Sequence, residues 1–476
     1  MDVLLAASKG RILEQPASLE SPECMYSLQF PKIPHAAILT SVYWLVDSKL
    51  PKLMDHLVLR PARNPMITGS SQGSPIAVYH KHATRKDVLG IPRFLGISLF
   101  GIPADDRRTS GTSIDVSFTK DLFSHQETIV HSALDILHEW GGTTIIADCG
   151  VGKTGMALYL LAALKRKTIV ICNRTILMDQ WKDSIQKFLT QIKVTTLQGT
   201  ESLDDALTGD IIVASIDTVI VQTNHEVFSS IGLVIVDEMH HIAAASFVHC
   251  LPLFSARYIL GLTATPTRND GLEHALYWLC GPVCAVYQRV PEITGKRGTV
   301  KVHKITFREG NKKEVVYYNG TLGFSAMITE LTMDEARNNM LKDLILTLSH
   351  RKKIVFVTSS VYHAVFFYKW YKESSEKPVA LMAGKSKNRD AAKKATFVSA
   401  TYSMLEEGYD DPELDTLILG TPRSTVQQTI GRIERDHPGK LVPVVYDIVD
   451  DFSLYPNMFW KRNKFYSSRG FDVAHL

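Results

Sequence analysis

The sequence predicts an α/β protein made of two doubly wound parallel-sheet domains in tandem, behind a small N-terminal accessory domain of β or α+β character. Three observations predict it. Short β-branched runs alternate with helical segments from residue 141 to 260; a second alternation follows a Gly- and charge-punctuated stretch at 291–311; and the first 118 residues share neither pattern. The boundaries are therefore 1–118 for the accessory domain, 119–289 for the first α/β domain and 290–476 for the second. A chain of 476 residues exceeds what one hydrophobic core usually supports.

Taken in order, residues 1–118 are rich in Pro, Gly and Ser, with short apolar pieces at 76–79 and 94–100. In the first α/β domain the runs at 143–147, 168–172, 211–215, 233–236 and 258–263 are brief, apolar and bounded by polar residues, as buried parallel strands are. Helical segments at 155–165 and 176–188 lie between them. The second domain repeats the design with runs at 353–358, 379–382, 396–400, 414–419 and 441–446. A nucleotide is expected where such sheets present their carboxyl ends.

Composition narrows the class. With 45% apolar and 21% charged residues the chain reads as an ordinary globular protein, which excludes a disordered or fibrous one. A net charge of +4 is a mild basic excess, compatible with a polyanionic partner but no proof of one. Cys24, Cys149, Cys172, Cys250, Cys280 and Cys284 are scattered and read as reduced thiols of an intracellular protein. Cys280 and Cys284 are close, but without a second ligand pair they read as small apolar residues, not zinc ligands. The N-terminus lacks a basic leader, and no run of 18 apolar residues occurs, so a soluble protein without a membrane partner is expected.

Two segments carry the chemistry. Residues 147–154, ADCGVGKT, sit between a predicted strand and a predicted helix and match the phosphate-loop template except that Ala147 replaces its first Gly. Gly150 and Gly152 supply backbone that wraps a phosphate chain, Lys153 suits the β- and γ-phosphates, and the Thr154 hydroxyl suits Mg²⁺. A nucleotide phosphate chain with Mg²⁺ is expected here. Downstream, LVIVDEMH at 233–240 ends a buried strand on two carboxylates. Asp237 would share the metal with Thr154, and Glu238 would orient or deprotonate the attacking water.

Asp237-Glu-Met-His240 resembles the DExH box of superfamily 2 helicases and translocases, whose two domains are RecA-like. Other segments resemble that family's motifs in its order. Leu122-Phe-Ser-His-Gln126 is similar to its glutamine motif, which implies that Gln126 hydrogen-bonds adenine through both amide groups. Asn173 to Trp181 (NRTILMDQW) resembles the motif after the second strand, with Asn173 and Arg174 around the usual Pro-Thr; the resemblance puts Arg174 and Thr175 on nucleic acid. Val213-Ala-Ser-Ile-Asp217 resembles the next nucleic-acid-facing element, with Ser215 where Thr is more usual. Gly261 to Gly271 (GLTATPTRNDG) is similar to motif III, which implies that Thr263 and Thr265, with His240, couple the DExH box to strand-end movement. In the second domain Thr401 to Pro412 (TYSMLEEGYDDP) resembles motif V, implying Thr401 on a nucleic-acid phosphate and Gly408 and Asp410 at the nucleotide; Asp411 departs from the usual apolar residue there. Gln428 to Arg435 (QTIGRIER) reproduces the QxxGRxxR pattern of motif VI, implying that Gln428, Arg432 and Arg435 reach the γ-phosphate.

The resemblance runs from residue 122 to 471 and is nearest the XPB-, UvsW- and RecG-like branch, especially helicases of large DNA viruses and phages. Its cues are Asp237 to His241, Ala264 to Gly271, Arg337-Asn338, the tail Asp447 to Phe452 with Lys461-Arg462 and Phe465-Tyr466, and Pro92 to Gly96. It implies that the nucleotide is ATP and the protein an ATP-dependent nucleic-acid helicase or translocase, DNA ahead of RNA, with transcription or replication machinery as a partner and host cytoplasm or nucleus as its location if viral. The alternatives are an RNA helicase, a transcript-release ATPase without strong unwinding, and a non-hydrolysing clamp. Lys153, Asp237, Glu238, Gln428, Arg432 and Arg435 together argue against the clamp. Lys385, Lys387, Arg389, Lys393 and Lys394 form either a nucleic-acid contact or a solvated face. Trp181, Tyr368 and Tyr371 either stack on bases or fill the core.

Overall fold

The computed structural model describes residues 11–13, 36–39, 42–46, 54, 57–60, 75–82 and 88–476, apart from 149, 191, 223, 240–243, 265–271, 289–299, 311–312, 318–321, 385–388, 410, 435–436 and 438. The chain divides into two compact units, one ending at Arg289 and one running from Val290 to Leu476.

In the first unit an eight-stranded sheet has the spatial order Arg11–Leu13, Val283–Gln288, Gly142–Ala147, Tyr258–Thr263, Leu233–Val236, Thr168–Cys172, Ile211–Ser215 and Val194–Leu197. The outermost strand, Arg11–Leu13, is antiparallel to its neighbour, and the other seven are parallel. Gly142–Ala147, Thr168–Cys172 and Leu233–Val236 are buried at every position, because helices cover both faces of a parallel sheet and leave no polar side. Val194–Leu197 and Val283–Gln288 lie outside the strands expected from sequence. The first is an edge strand with only Leu197 fully buried, so its apolar signal is weak.

A five-stranded mixed sheet of Ala36–Leu39, Val42–Val46, His80–Lys81, Val88–Pro92 and Asp105–Asp106, with the helix Arg93–Phe100, gives the accessory region α+β character. It belongs to the same compact unit as the large sheet. Phe94 packs so closely on Gly142 that a Cβ there would lie 2.0 Å from its ring. Arg93, fully buried, donates to the Ala256 carbonyl at 2.8 Å, while its Nε and Nη2 find no hydrogen-bond partner among the described residues. Burial, helped by Arg108, pulls its guanidinium down to about 9. The backbone of Thr109 pairs with Ser255 and Arg257 on either side of Ala256.

The second unit is a seven-stranded, all-parallel sheet ordered Val379–Met382, Phe397–Thr401, Ile354–Thr358, Thr416–Leu419, Val444–Asp450, Lys301–Phe307 and Asp472–His475. Lying inside the Gly- and charge-punctuated stretch at 291–311, the strand Lys301–Phe307 starts the second alternation earlier than expected. Its half-buried middle, with His303, Lys304 and Thr306, hides it among charged residues. The tail cues turn out to be anchors of this sheet. Arg462 grips Asp447 at 2.8 and 2.9 Å with Tyr466 donating at 2.7 Å, and Arg337 grips Asp450 at 2.8 and 3.0 Å. Beside it, Asn338 and Thr358 hold the ring of buried His363 at 2.9 and 3.0 Å.

Candidate nucleotide and nucleic-acid site

In a parallel sheet all strands finish at one edge, and the register fixes which residues meet there. Ile146 pairs with Thr263, Val236 with both Gly261 and Ile171, and Cys172 with Ser215. The ends carrying Ala147, Thr263, Asp237, Arg174 and Ser215 are thus brought to a single edge of the first unit, with the phosphate-type loop and Asp237 separated by one strand.

After Ala147 the chain turns through Gly150 and Gly152 at φ of +77° and +92°, conformations that L side chains seldom adopt, and the helix Lys153–Leu164 begins. Lys153 is buried and its ammonium donates to the Ala147 carbonyl at 2.9 Å. Gln126, in the first turn of the helix Ser124–Trp140, closes the loop from the other side. Its Oε1 accepts from the Phe123 backbone at 3.0 Å and its Nε2 donates to the Val151 carbonyl at 2.8 Å. A Cβ on Gly152 would lie 2.4 Å from that Nε2, which explains a second glycine here. Both ends of the Gln126 amide are therefore engaged within the protein.

Asp237 is buried. Its Oδ1 accepts from the Glu238 backbone at 2.9 Å and its Oδ2 from the indole Nε1 of Trp181 at 2.8 Å. Burial and the neighbouring Glu238 charge raise its carboxyl to about 6, against the opposing pull of Trp181 and Lys153. Glu238 itself stands at φ +45°, a strained conformation for a residue with a side chain, costing about 1–3 kcal/mol. Backbone strain of this kind clusters at active sites, ligand clamps and switch regions. The hard oxygen donors of Thr154 and Asp237 fit a magnesium ion.

Arg174 and Ser215 stand at the positions just before the helices Thr175–Phe188 and Ile216–Val219, neither side chain bonding to the helix end, and the Thr175 hydroxyl accepts from Gln198 at 2.6 Å. Trp181 and Tyr371 fill the core, Tyr371 stacking on Phe397 at 4.3 Å, and Tyr368 is half-buried. Burial pushes the thiols of Cys280 and Cys284 up to about 12 and 11.

In the second unit Thr401 closes the strand Phe397–Thr401 and pairs in register with Thr358. The following helix, Tyr402–Gly408, carries Glu406, which sequence reading passed over. Its carboxylate accepts from Thr429 at 2.5 Å and Arg423 at 2.9 Å, and its carbonyl accepts from Arg432. The motif V and motif VI segments are thereby tied together, with Gln428 and Arg432 on or beside the helix Gln427–Gly431. Asp411, the departure from the family pattern, is buried against Lys353 and accepts from the Tyr409 hydroxyl at 3.0 Å. His240, Thr265, Asp410 and Arg435 lie outside the described residues, as do Lys385, Lys387 and the Arg389 side chain, while Lys393 and Lys394 are exposed.

The family model of the type III restriction enzyme res subunit matches residues 119–268. A protein of Acanthamoeba polyphaga mimivirus named "Putative ATP-dependent RNA helicase" is 28% identical over 398 residues, covering 81% of this chain and 75% of its own. A "Putative helicase" of Invertebrate iridescent virus 6 is 26% identical over 400 residues (76% and 84%), and a "Probable helicase" of Escherichia phage T5 is 25% identical over 343 residues (66% and 70%). Among solved structures, T4 UvsW aligns with 92% of this chain and 98% of its own at 18% identity and a TM-score of 0.38. The Hef helicase domain of Pyrococcus furiosus aligns with 71% and 97% at 14% identity and a TM-score of 0.45. By its phosphate-type loop, its Asp237-Glu238 strand end and these relatives together, the chain is similar to helicases of large DNA viruses and phages.

Proposed function

We propose that the protein is an ATP-dependent motor that moves on nucleic acid, DNA in preference to RNA, from an accessory domain at 1–118 and two RecA-like domains at 119–289 and 290–476. The observation that carries this reading is the placement of Lys153 and of the Asp237-Glu238 strand end on one sheet edge, one strand apart. A phosphate clamp beside a strained acidic pair suits hydrolysis, and a binding-only protein has no use for the second.

In this reading Gly150 and Gly152 present backbone N–H groups to the phosphates, and Lys153 exchanges the Ala147 carbonyl for phosphate oxygens. Thr154 and Asp237 hold Mg²⁺, which when bound neutralises phosphate charge. Glu238 takes a proton from the attacking water at its carboxylate. Gln126 reads the adenine once its amide leaves the loop, and Gly408 and Asp410 border the nucleotide. Gln428, Arg432 and Arg435 supply hydrogen bonds and positive charge to the transferring phosphoryl, a contribution of about a thousandfold or more in rate. Arg174, Thr175, Ser215 and Thr401 take backbone phosphates, and His240, Thr263 and Thr265 relay the state of the site along the sheet edge.

The relatives named as RNA helicases favour keeping RNA as a second reading. The test is ATPase activity with single-stranded, duplex or branched DNA, or with RNA, added in turn. Stimulation by DNA above RNA is expected; RNA alone would reassign the substrate, and no stimulation by either would overturn the motor.

A further inference from the structure

Asp237 is held by more than its own strand. One of its oxygens is engaged by the backbone N–H of the next residue, and the other accepts the indole Nε1–H of Trp181 at 2.8 Å from a helix 56 residues upstream. Trp181 is only 1% exposed, so water does not compete for that bond. The donor type matters. A lysine there would pair with the carboxylate and cancel the charge that attracts a cation, whereas an indole is neutral, donates one hydrogen bond and cannot ligate metal. It can fix the carboxylate plane while leaving the negative charge available.

We infer that Trp181 is a positioning residue for the metal: it sets the orientation in which Asp237 presents its free lone pairs to Mg²⁺. This rests on the reading of Asp237 as a metal-holding carboxylate. Residues that orient a metal ligand typically govern about 10- to 100-fold in metal affinity. Trp181→Phe keeps an aromatic ring in the core, though a smaller one, and removes the donor.

The experiment titrates Mg²⁺ into protein and ADP, following nucleotide binding by calorimetry, for the wild type and Trp181→Phe, with thermal unfolding of both. Expected is a rise of about 10-fold or more in the Mg²⁺ needed for half-saturation, with Mg²⁺-free ADP binding unchanged. An unchanged Mg²⁺ requirement in a folded Trp181→Phe protein overturns the inference. Should that variant fail to fold, the ¹⁵N-labelled tryptophan indole resonances of the wild type decide. The Trp181 resonance, identified by its displacement in Asp237→Asn, moves on addition of Mg²⁺ to the ADP complex if the inference holds, and its failure to move overturns it. Wild-type ADP binding indifferent to Mg²⁺ would remove the metal reading of Asp237 itself, a separate and recognisable failure that takes the inference with it.

Discussion

Lys353 and Asp411 form an ion pair sealed from solvent, with side chains 4% and 5% exposed. Its remaining valences are filled: Tyr409 and the Glu413 backbone donate to Asp411 at 3.0 Å each, and Lys353 also donates to the Lys393 carbonyl at 2.5 Å. Removing one partner of such a pair strands the other charge. Asp411→Leu alone should destabilise the protein by about 3–5 kcal/mol, while Asp411→Leu with Lys353→Met should lose far less. Chemical unfolding of the three proteins checks this, and equal losses in the single and double variants would contradict it.

Lys153→Ala should abolish ATP turnover while leaving the protein folded, since the resting fold loses one hydrogen bond to Ala147, worth about 1.5 kcal/mol or less, and the attraction between Lys153 and Asp237. Turnover and unfolding measured on one preparation separate the two effects.

Glu238→Gln should cut turnover by about 100-fold or more with nucleotide binding retained. The left-handed backbone at this residue adds a second expectation. Glu238→Gly should be equally inactive yet at least as stable as Glu238→Gln, because glycine relieves the strain and so offsets its own entropic cost. A lower melting temperature for the glycine variant would contradict the strained geometry.

Arg432→Ala and Arg435→Ala should each lower turnover far more than they weaken ATP binding. Glu406→Ala, which releases Arg423 and Thr429 but keeps the backbone carbonyl that accepts from Arg432, should lower turnover less than Arg432→Ala does. Steady-state kinetics beside equilibrium nucleotide binding tests both; equal losses in rate and affinity would sink the role in turnover.

His363 makes stability depend on pH. Burial, reinforced by Arg337, holds its ring well below the usual histidine range, so the folded protein keeps it neutral. Below about pH 6.5 the unfolded chain takes up a proton that the fold refuses, and stability falls by about 1.4 kcal/mol per pH unit. His363→Gln should flatten that slope. Melting temperatures of both proteins between about pH 5 and 7 give the answer.

The fold was legible where strands are buried on both faces. The runs at 168–172, 211–215, 233–236 and 258–263 coincide with the strands found there. Half-covered strands with polar residues, such as Lys301–Phe307 and Val194–Leu197, were not legible, since those residues dilute the apolar signal, whereas Val379–Met382, half-covered at a sheet margin, was legible because all four of its residues are apolar. At the site, glycine spacing and the acidic pair located the loop and the strand end. The Trp181–Asp237 bond and the Glu406 hub were invisible because each joins residues distant in sequence through atoms that carry no local pattern. Asp411 looked out of place only because its partner, Lys353, stands 58 residues earlier.

The seat of Phe94 against Gly142 bears on how the protein can be cut. A fragment beginning at residue 119 would keep the phosphate-type loop, yet it would lay bare the foot of the strand leading into that loop and leave the Ala256 carbonyl without Arg93. The accessory region is upholstery fastened to the frame, and a minimal ATPase expressed without it should be judged as a wounded protein, not as the engine in its simplest form.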